Sequence, residues 1–208
     1  MNSSTIDITP IDHMNAAERL LKRVGDIVGA ILGLIILSPA FVVIYCLEKM
    51  EGEGSAIFSQ ERVGKGGKPF KIYKFRTMVK ESEENGPQLA QQDDERLTRV
   101  GRFLRKYHFD ELPQLWNVLV GDMSFVGYRP ERQFYIDQIM ERNPQYELLY
   151  CSRPGVTSYA TLHNGYTDSM AKMLRRLDMD IDYLQKRTLW LDMKIILETV
   201  ARVGCGKA

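Results

Sequence analysis

Cysteine and histidine are scarce in this chain, with three of each in 208 residues. Cys46, Cys151 and Cys205 are odd in number, widely scattered and form no Cys-x-x-Cys pair, so neither a disulfide framework nor a zinc site is expected. No two of His13, His108 and His163 stand at metal-ligand spacing. An excess of one charge is also missing: the formal net charge of +1 excludes a broadly basic nucleic-acid-binding surface. Internal repeats and low-complexity tracts are absent. Without a Walker loop or a kinase glycine loop, nucleotide-dependent kinase readings fail. Long hydrophobic runs number one, which excludes a polytopic membrane enzyme. Hydrophobic residues nonetheless make up 44% of the chain, enough for a packed core.

That single run, Ile27 to Leu47, carries no charged residue over 21 positions, close to the ~20 a helix needs to span a bilayer's hydrocarbon layer. Ser38-Pro39 lies just past its middle, where proline removes a backbone donor and kinks or breaks the helix. The Ser38 hydroxyl is placed to satisfy a carbonyl freed there. Arg19, Lys22 and Arg23 precede the run, and Lys49, Arg62, Lys65, Lys68, Lys71, Lys74 and Arg76 follow it. Both flanks carry the basic signature of the cytoplasmic side. A re-entrant hairpin that returns to the same face is therefore favoured over a crossing helix.

The expected organisation is a tail over 1–18, a re-entrant membrane helix over 19–50 and a catalytic domain at the cytoplasmic face over 51–208. Residues 55–61 and 70–75 alternate like short strands around the glycine-rich turn at 64–67. The polar, acidic stretch 80–95 reads as a loop. Helical patterns cover 96–107, 110–120, 129–142 and 168–203, with loops at 121–128 and 150–167. In the last helix, Leu189, Trp190, Met193, Ile196, Leu197 and Val200 fall near one face, suited equally to the core or to a membrane surface. The fold class is α/β and helix-rich: a small membrane-associated domain with a re-entrant helix-break-helix hairpin, a short β-hairpin and interfacial amphipathic helices.

Chemistry concentrates at 98–130. Asp110-Glu111 stands where a helix should begin, with Pro113 early enough to be tolerated. As an N-cap, Asp110 would simply accept free amides. But Arg99, Arg102 and Arg105 precede the pair and Arg129 follows it. Carboxylates among guanidiniums suit a place where phosphates and a divalent cation meet. An aspartate there can attack phosphorus and split a transfer into two displacements.

These residues sit in a longer series: Lys22-Arg23-x-x-Asp26, Ser38-Pro39, Gln60-x-Arg62-x-Gly64-x-x-Gly67, Lys74-Phe75-Arg76-Thr77-Met78, Asp110-Glu111-Leu112-Pro113-Gln114-Leu115-x-Asn117-Val118-Leu119-x-Gly121-Asp122-Met123-Ser124-x-Val126-Gly127-x-Arg129-Pro130, Arg153-Pro154-Gly155-Val156-Thr157 and Leu189-Trp190-Leu191-Asp192-Met193-Lys194-Ile195. In this order they resemble the small monotopic phosphoglycosyl transferases, the bacterial sugar transferase family, from about Leu20 to about Val200. The resemblance implies that Asp110 is a covalent nucleophile, that Glu111 completes the dyad, and that both associate with Mg2+. It implies phosphate or nucleotide contacts for Arg105 and Arg129, and substrate-binding roles for Gln60, Arg62, Lys74 and Arg76. It assigns Lys22, Arg23, Asp26, Ser38 and Pro39 to the membrane hairpin. Its donor is a UDP-sugar, its acceptor undecaprenyl phosphate and its by-product UMP. Membrane lipid is a further partner, nucleic acid is not, and a homodimer is compatible. The bacterial inner membrane, on its cytoplasmic face, is the expected location.

The chain departs from that family at Tyr128, where a proline is common, and over 158–166, which lacks the usual Gln and final Arg. The second departure is expected to track a different donor sugar. Tyr128, His108 and His163 are expected to be structural, and Asp122 to brace a turn. A catalytically inactive membrane anchor or assembly subunit is the alternative from another class; intact Asp110, Glu111, Arg105 and Arg129 argue against it.

Overall fold

A computed structural model of the chain describes residues 12–52, 54–79, 86–89, 91, 94–165 and 167–204. The expectations for residues 1–11, for most of the 80–95 loop, for Tyr166 and for Cys205 lie outside them.

Helix α1 (Ala16–Ile36) begins at a capping box in which the Asn15 side chain accepts from Glu18 N–H and the Glu18 carboxylate accepts from Asn15 N–H. It breaks at Leu37, and α2 (Ser38–Glu51) sets off with Pro39 in its first turn, bent 61° from α1. Ser38 Oγ donates to the Ile35 carbonyl at 2.8 Å, the partner anticipated for a group freed by the proline. No single described helix is long and apolar enough to cross a membrane; the bent pair satisfies length and composition only when taken together.

The bent pair is not free-standing. Gly29, Ala30 and Gly33 form a small-residue strip on α1. A Cβ on Gly29 would meet the Phe125 ring at 2.7 Å, and one on Gly33 would meet Leu115 at 3.1 Å. That strip lets α4 (Gln114–Val120) lie close against α1. Further along α2, Phe41 and Ile44 pack with Phe75 and Leu104. The outward side of the pair remains apolar, with Leu20, Val24, Val28, Leu32, Ile35, Ile36, Val42 and Val43 each at least half exposed.

Strands β1 (Ile57–Val63) and β2 (Pro69–Phe75) form an antiparallel hairpin in which Ile57 faces Phe75 and Val63 faces Pro69. β1 lies two residues later than the alternation suggested. The turn runs through Lys65–Gly67, where Gly66 and Gly67 take φ near +70°. This register places Gln60, Arg62, Ile72 and Lys74 on one face.

Helix α3 (Arg99–Lys106) is capped by Thr98. A 3₁₀ turn follows at Phe109–Glu111, and then α4, so the continuous helix expected from 110 is divided. Helix α5 (Gln133–Met140) begins four residues later than expected, because 129–132 is not helical and Arg132 is extended. The stretches read as loops at 121–128 and 150–167 instead contain β3 (Ser124–Val126) and β4 (Gly155–Thr157), a parallel pair, and the short helix α6 (Tyr159–His163). Three-residue strands are too short to show a period. Their closeness rests on glycine: a Cβ on Gly155 would lie 2.2 Å from Gly127 N. The expected 168–203 helix is two, α7 (Met170–Lys186) and α8 (Leu189–Gly204), divided where Arg187 is extended and pairs with buried Asp12.

The main core joins α5, α7 and α8 to the β3–β4 pair through Val126, Tyr128, Ile136, Ile139, Leu177, Leu184 and Ile195. Helix α8 packs on the core along one side only. Ile195 is buried, whereas Trp190, Met193, Leu197 and Val200 are half to four-fifths exposed on its other side.

Candidate active site

The site is assembled where α3 hands over to α4. His108 takes the left-handed conformation at φ 51°, sparsely populated for a residue with a Cβ, and this turns the chain into the Phe109–Glu111 turn. The turn carries Asp110 and Glu111 inward, where both are buried. Asp110 is not the cap of α4: Pro113 occupies that position and no side chain caps the helix. The alternative in which Asp110 merely caps α4 therefore fails. The 3₁₀ turn moved the start of the regular helix beyond it. Asp110 Oδ1 is instead buried with no hydrogen-bond partner among the described residues.

Glu111 is locked in place. Lys74, from β2, donates to Glu111 Oε1 at 2.5 Å, and Arg129 Nη2 stands 3.5 Å from the same oxygen. A polar cavity of about 20 Å³ adjoins it, lined by Arg62, Ile72, Lys74, Glu111, Gln114, Arg129, Pro130 and Gly155. Arg105, in the last turn of α3, has its Nη1 buried without a partner among the described residues.

The electrostatics separate the two acids. Burial raises the Asp110 carboxyl above its ordinary range, Glu111 adds to this, and the charges of Lys74, His108 and Arg105 oppose it. Burial also penalises ionised Glu111, but Lys74 and Arg129 overcome the penalty and hold its carboxyl well below the usual range. Asp110 is thus the more basic member, the one that takes a shared proton first.

The structure brings Asp110, Glu111, Arg105, Lys74, Arg129 and Arg62 to one region. Gln60 lies just behind, its Oε1 accepting from Arg62 Nη2 at 2.6 Å. Arg76 does not join them. It pairs with buried Glu48 of α2 at 3.2 Å and donates to the Glu48 carbonyl, clamping β2 to the end of the bent pair. Lys22, Arg23 and Asp26 likewise bind protein. Lys22 pairs with Asp192, Arg23 donates to the Val118 and Leu119 carbonyls, and Asp26 accepts from Phe125 N–H. Asp122 braces its turn through Asn117, and Tyr128 is fully buried.

Two residues of consequence were given no role from the sequence. Buried Asn117 bridges α4 to β2, accepting from Tyr73 N–H and donating to the Lys71 carbonyl. Glu131 is buried between Arg62 and Arg176. An acid following Arg129-Pro130, and an Arg-x-x-x-Asp pair on the apolar face of α7, were the available signals.

The sequence profile of the bacterial sugar transferases matches residues 17–206. The chain belongs to the bacterial sugar transferase family. Among relatives, it is 40% identical over 186 residues to UDP-N-acetylgalactosamine-undecaprenyl-phosphate N-acetylgalactosaminephosphotransferase of Aeromonas hydrophila, covering 89% of this chain and 44% of that protein. It is 45% identical over 185 residues to UDP-glucose:undecaprenyl-phosphate glucose-1-phosphate transferase of Caulobacter vibrioides, covering 87% and 68%. To the Escherichia coli K12 protein of that same name it is 40% identical over 202 residues, covering 96% and 43%. The chain thus spans between two fifths and two thirds of the length of these sugar transferases.

Proposed function

We propose that this bacterial sugar transferase moves a sugar 1-phosphate from a UDP-sugar to undecaprenyl phosphate, releasing UMP, at the cytoplasmic face of the inner membrane. The product would begin the assembly of a surface polysaccharide or glycoconjugate. The reading is supported by the names of the relatives. Above all it rests on Asp110, a buried carboxylate with an oxygen unpartnered among the described residues, beside a cation-locked Glu111.

In the first displacement an Asp110 oxygen attacks the sugar-bearing phosphorus of the donor. The bond from that phosphorus to the bridging oxygen breaks, and UMP leaves with the electron pair. The resulting acyl phosphate joins Asp110 to the phosphosugar. In the second displacement a phosphate oxygen of the acceptor attacks the same phosphorus and frees the Asp110 carboxylate. Two in-line steps need no histidine base, since the acceptor phosphate brings its own nucleophilic oxygen. Splitting the acids suits this chemistry: the more basic Asp110 is the stronger nucleophile, while Glu111 holds Lys74 and Arg129 toward the phosphates.

No group of three or more candidate metal ligands exists among the described residues. Adjacent Asp110 and Glu111, with one orphaned oxygen, fit an ion that completes its shell from substrate phosphates. Bound by these two residues, Mg2+ would neutralise diphosphate charge.

An open apolar groove of about 330 Å³, lined by Leu34, Phe41, Ile57, Tyr73, Pro113 and Trp116, suits an isoprenoid chain. The bent pair reads as a re-entrant anchor, whose exposed apolar side and the exposed face of α8 would meet one leaflet. An inactive anchor would have no use for buried, unpartnered charges that cost stability. The test is incubation with labelled UDP-sugars and Mg2+ in the absence of acceptor. Label should remain on the protein and UMP appear, and Asp110→Asn should abolish both. Full turnover by that variant would refute the nucleophile.

A further inference from the structure

The segment carrying Arg129 is gripped from behind by charge. Helix α7 presents Arg176 and Asp180 four residues apart on its buried face. Arg176 pairs with Glu131, and the Arg129 backbone N–H favours the ionised Asp180 carboxylate against the effect of its burial. From the opposite side, β1 supplies Arg62, which reaches Glu131 at 3.3 Å and the Pro130 carbonyl at 3.4 Å. Residues 129, 130 and 131 are therefore each held by a different polar contact, while the Arg129 side chain leaves the cluster toward Glu111.

A core serving stability alone would not be built this way. Two acids and an arginine, Glu131, Asp180 and Arg176, are at most 6% exposed. Buried ion pairs of this kind stabilise little more than apolar side chains of the same shape. Asp180 Oδ1, Arg62 Nε and the Tyr128 hydroxyl lack hydrogen-bond partners among the described residues, so the network is costly as well. Burial pushes the Asp180 carboxyl up to about 7 despite the Arg176 charge. What the arrangement does provide is a fixed direction for one side chain.

We infer that Asp180, with Glu131 and Arg176, is a positioning residue that aims the Arg129 guanidinium at the donor's diphosphate. The inference rests on the transferase reading, since it needs Arg129 to meet phosphate. Asp180 touches no substrate; it acts through the backbone on which Arg129 stands. Losing one of three grips lets the guanidinium drift, and displacements of about 1 Å at a reacting site lower rates by up to about 100-fold.

The test is a double-mutant cycle on the full chain in detergent micelles with undecaprenyl phosphate, using whichever UDP-sugar of a panel releases most UMP. Asp180→Asn keeps the shape and removes the charge. It should lower kcat/KM by about tenfold or more, chiefly through KM for the UDP-sugar, with the fold retained by circular dichroism. In an Arg129→Ala background the same substitution should change kcat/KM less than twofold, because the group it aims is gone. An undiminished loss in that background would make Asp180 merely structural and overturn the inference, as would unaltered kinetics in the single variant. If Asp180→Asn does not fold, isosteric Glu131→Gln enters the same cycle with the same expected outcomes. Failure of the underlying reading looks different: no UDP-sugar would release UMP, or Arg129→Ala alone would leave kcat/KM intact.

Discussion

Asp110 and Glu111 are neighbours in the chain and close in burial, yet their protons are held very differently. The difference comes from what reaches them. Lys74 and Arg129 both reach Oε1 of Glu111, whereas Asp110 keeps an oxygen without a partner among the described residues. The sign of the pH dependence follows. In the proposed mechanism ionised Asp110 is the attacking form, so adduct formation should rise with pH through a carboxyl lifted by burial and by the Glu111 charge. Glu111→Gln removes that charge, lowers the Asp110 carboxyl and should shift the acid limb of the profile to lower pH. Rapid-quench measurement of adduct formation between pH 4 and 8 checks this; a limb moving upward would contradict the assignment. The dyad was legible in the sequence because acids among arginines stand out. Its inequality was not, since it depends on a lysine 37 residues away.

At the scale of elements, the end of α2 is the joint between hairpin and site. Glu48 takes Arg76 from the end of β2, and the Glu51 carboxylate accepts from Val100 N–H in the first turn of α3. α3 in turn delivers Arg105 and the turn bearing the dyad. Arg76→Gln would strand Glu48, whose side chain is wholly buried. Breaking such a pair typically costs about 3–5 kcal/mol. The expected outcome is a lower thermal midpoint together with lower activity, because β2 and α3 both lean on this joint. Loss of activity with an unchanged midpoint would instead return Arg76 to the substrate. The short elements here were hidden from sequence reasoning. Three-residue β3 and β4 carry no periodicity, and the division of α7 from α8 follows from the long-range pairing of Arg187 with Asp12.

For the whole molecule, the proposed re-entrant anchoring of the bent pair makes a prediction about topology. Arg23, Asp26 and Lys22 near its start, and Glu48 and Glu51 at its end, all bind the same folded domain. A body holding both ends of a hairpin favours one side of the bilayer for both. Single cysteines at Ala17 and Met50, in a background with Cys46, Cys151 and Cys205 all replaced by serine, should therefore resist a membrane-impermeant thiol reagent added to intact spheroplasts, and react once the inner membrane is permeabilised. Reaction at one site alone before permeabilisation would mean a crossing helix. The exposed Trp190, Met193, Leu197 and Val200 of α8 belong to the same surface question. Replacing Trp190 and Leu197 with serine should weaken binding to anionic vesicles several-fold without unfolding, since ~25 cal/mol per Å² of apolar burial is lost at positions the core does not use.

Local chemistry and pattern in the sequence determined the broken apolar helix, the β-hairpin and the acid pair among arginines. Ser38-Pro39, strict alternation and an Asp-Glu dipeptide act over a few residues and leave their mark in order. Only the tertiary structure decided that Lys22, Arg23, Asp26 and Arg76 bind protein, that Lys74 rather than Arg105 locks Glu111, and that α7 holds Glu131, two residues beyond Arg129. Those outcomes depend on which buried charge finds which partner across 18 to 170 residues of chain, and the cost of leaving any such charge unpaired is settled only when the core closes.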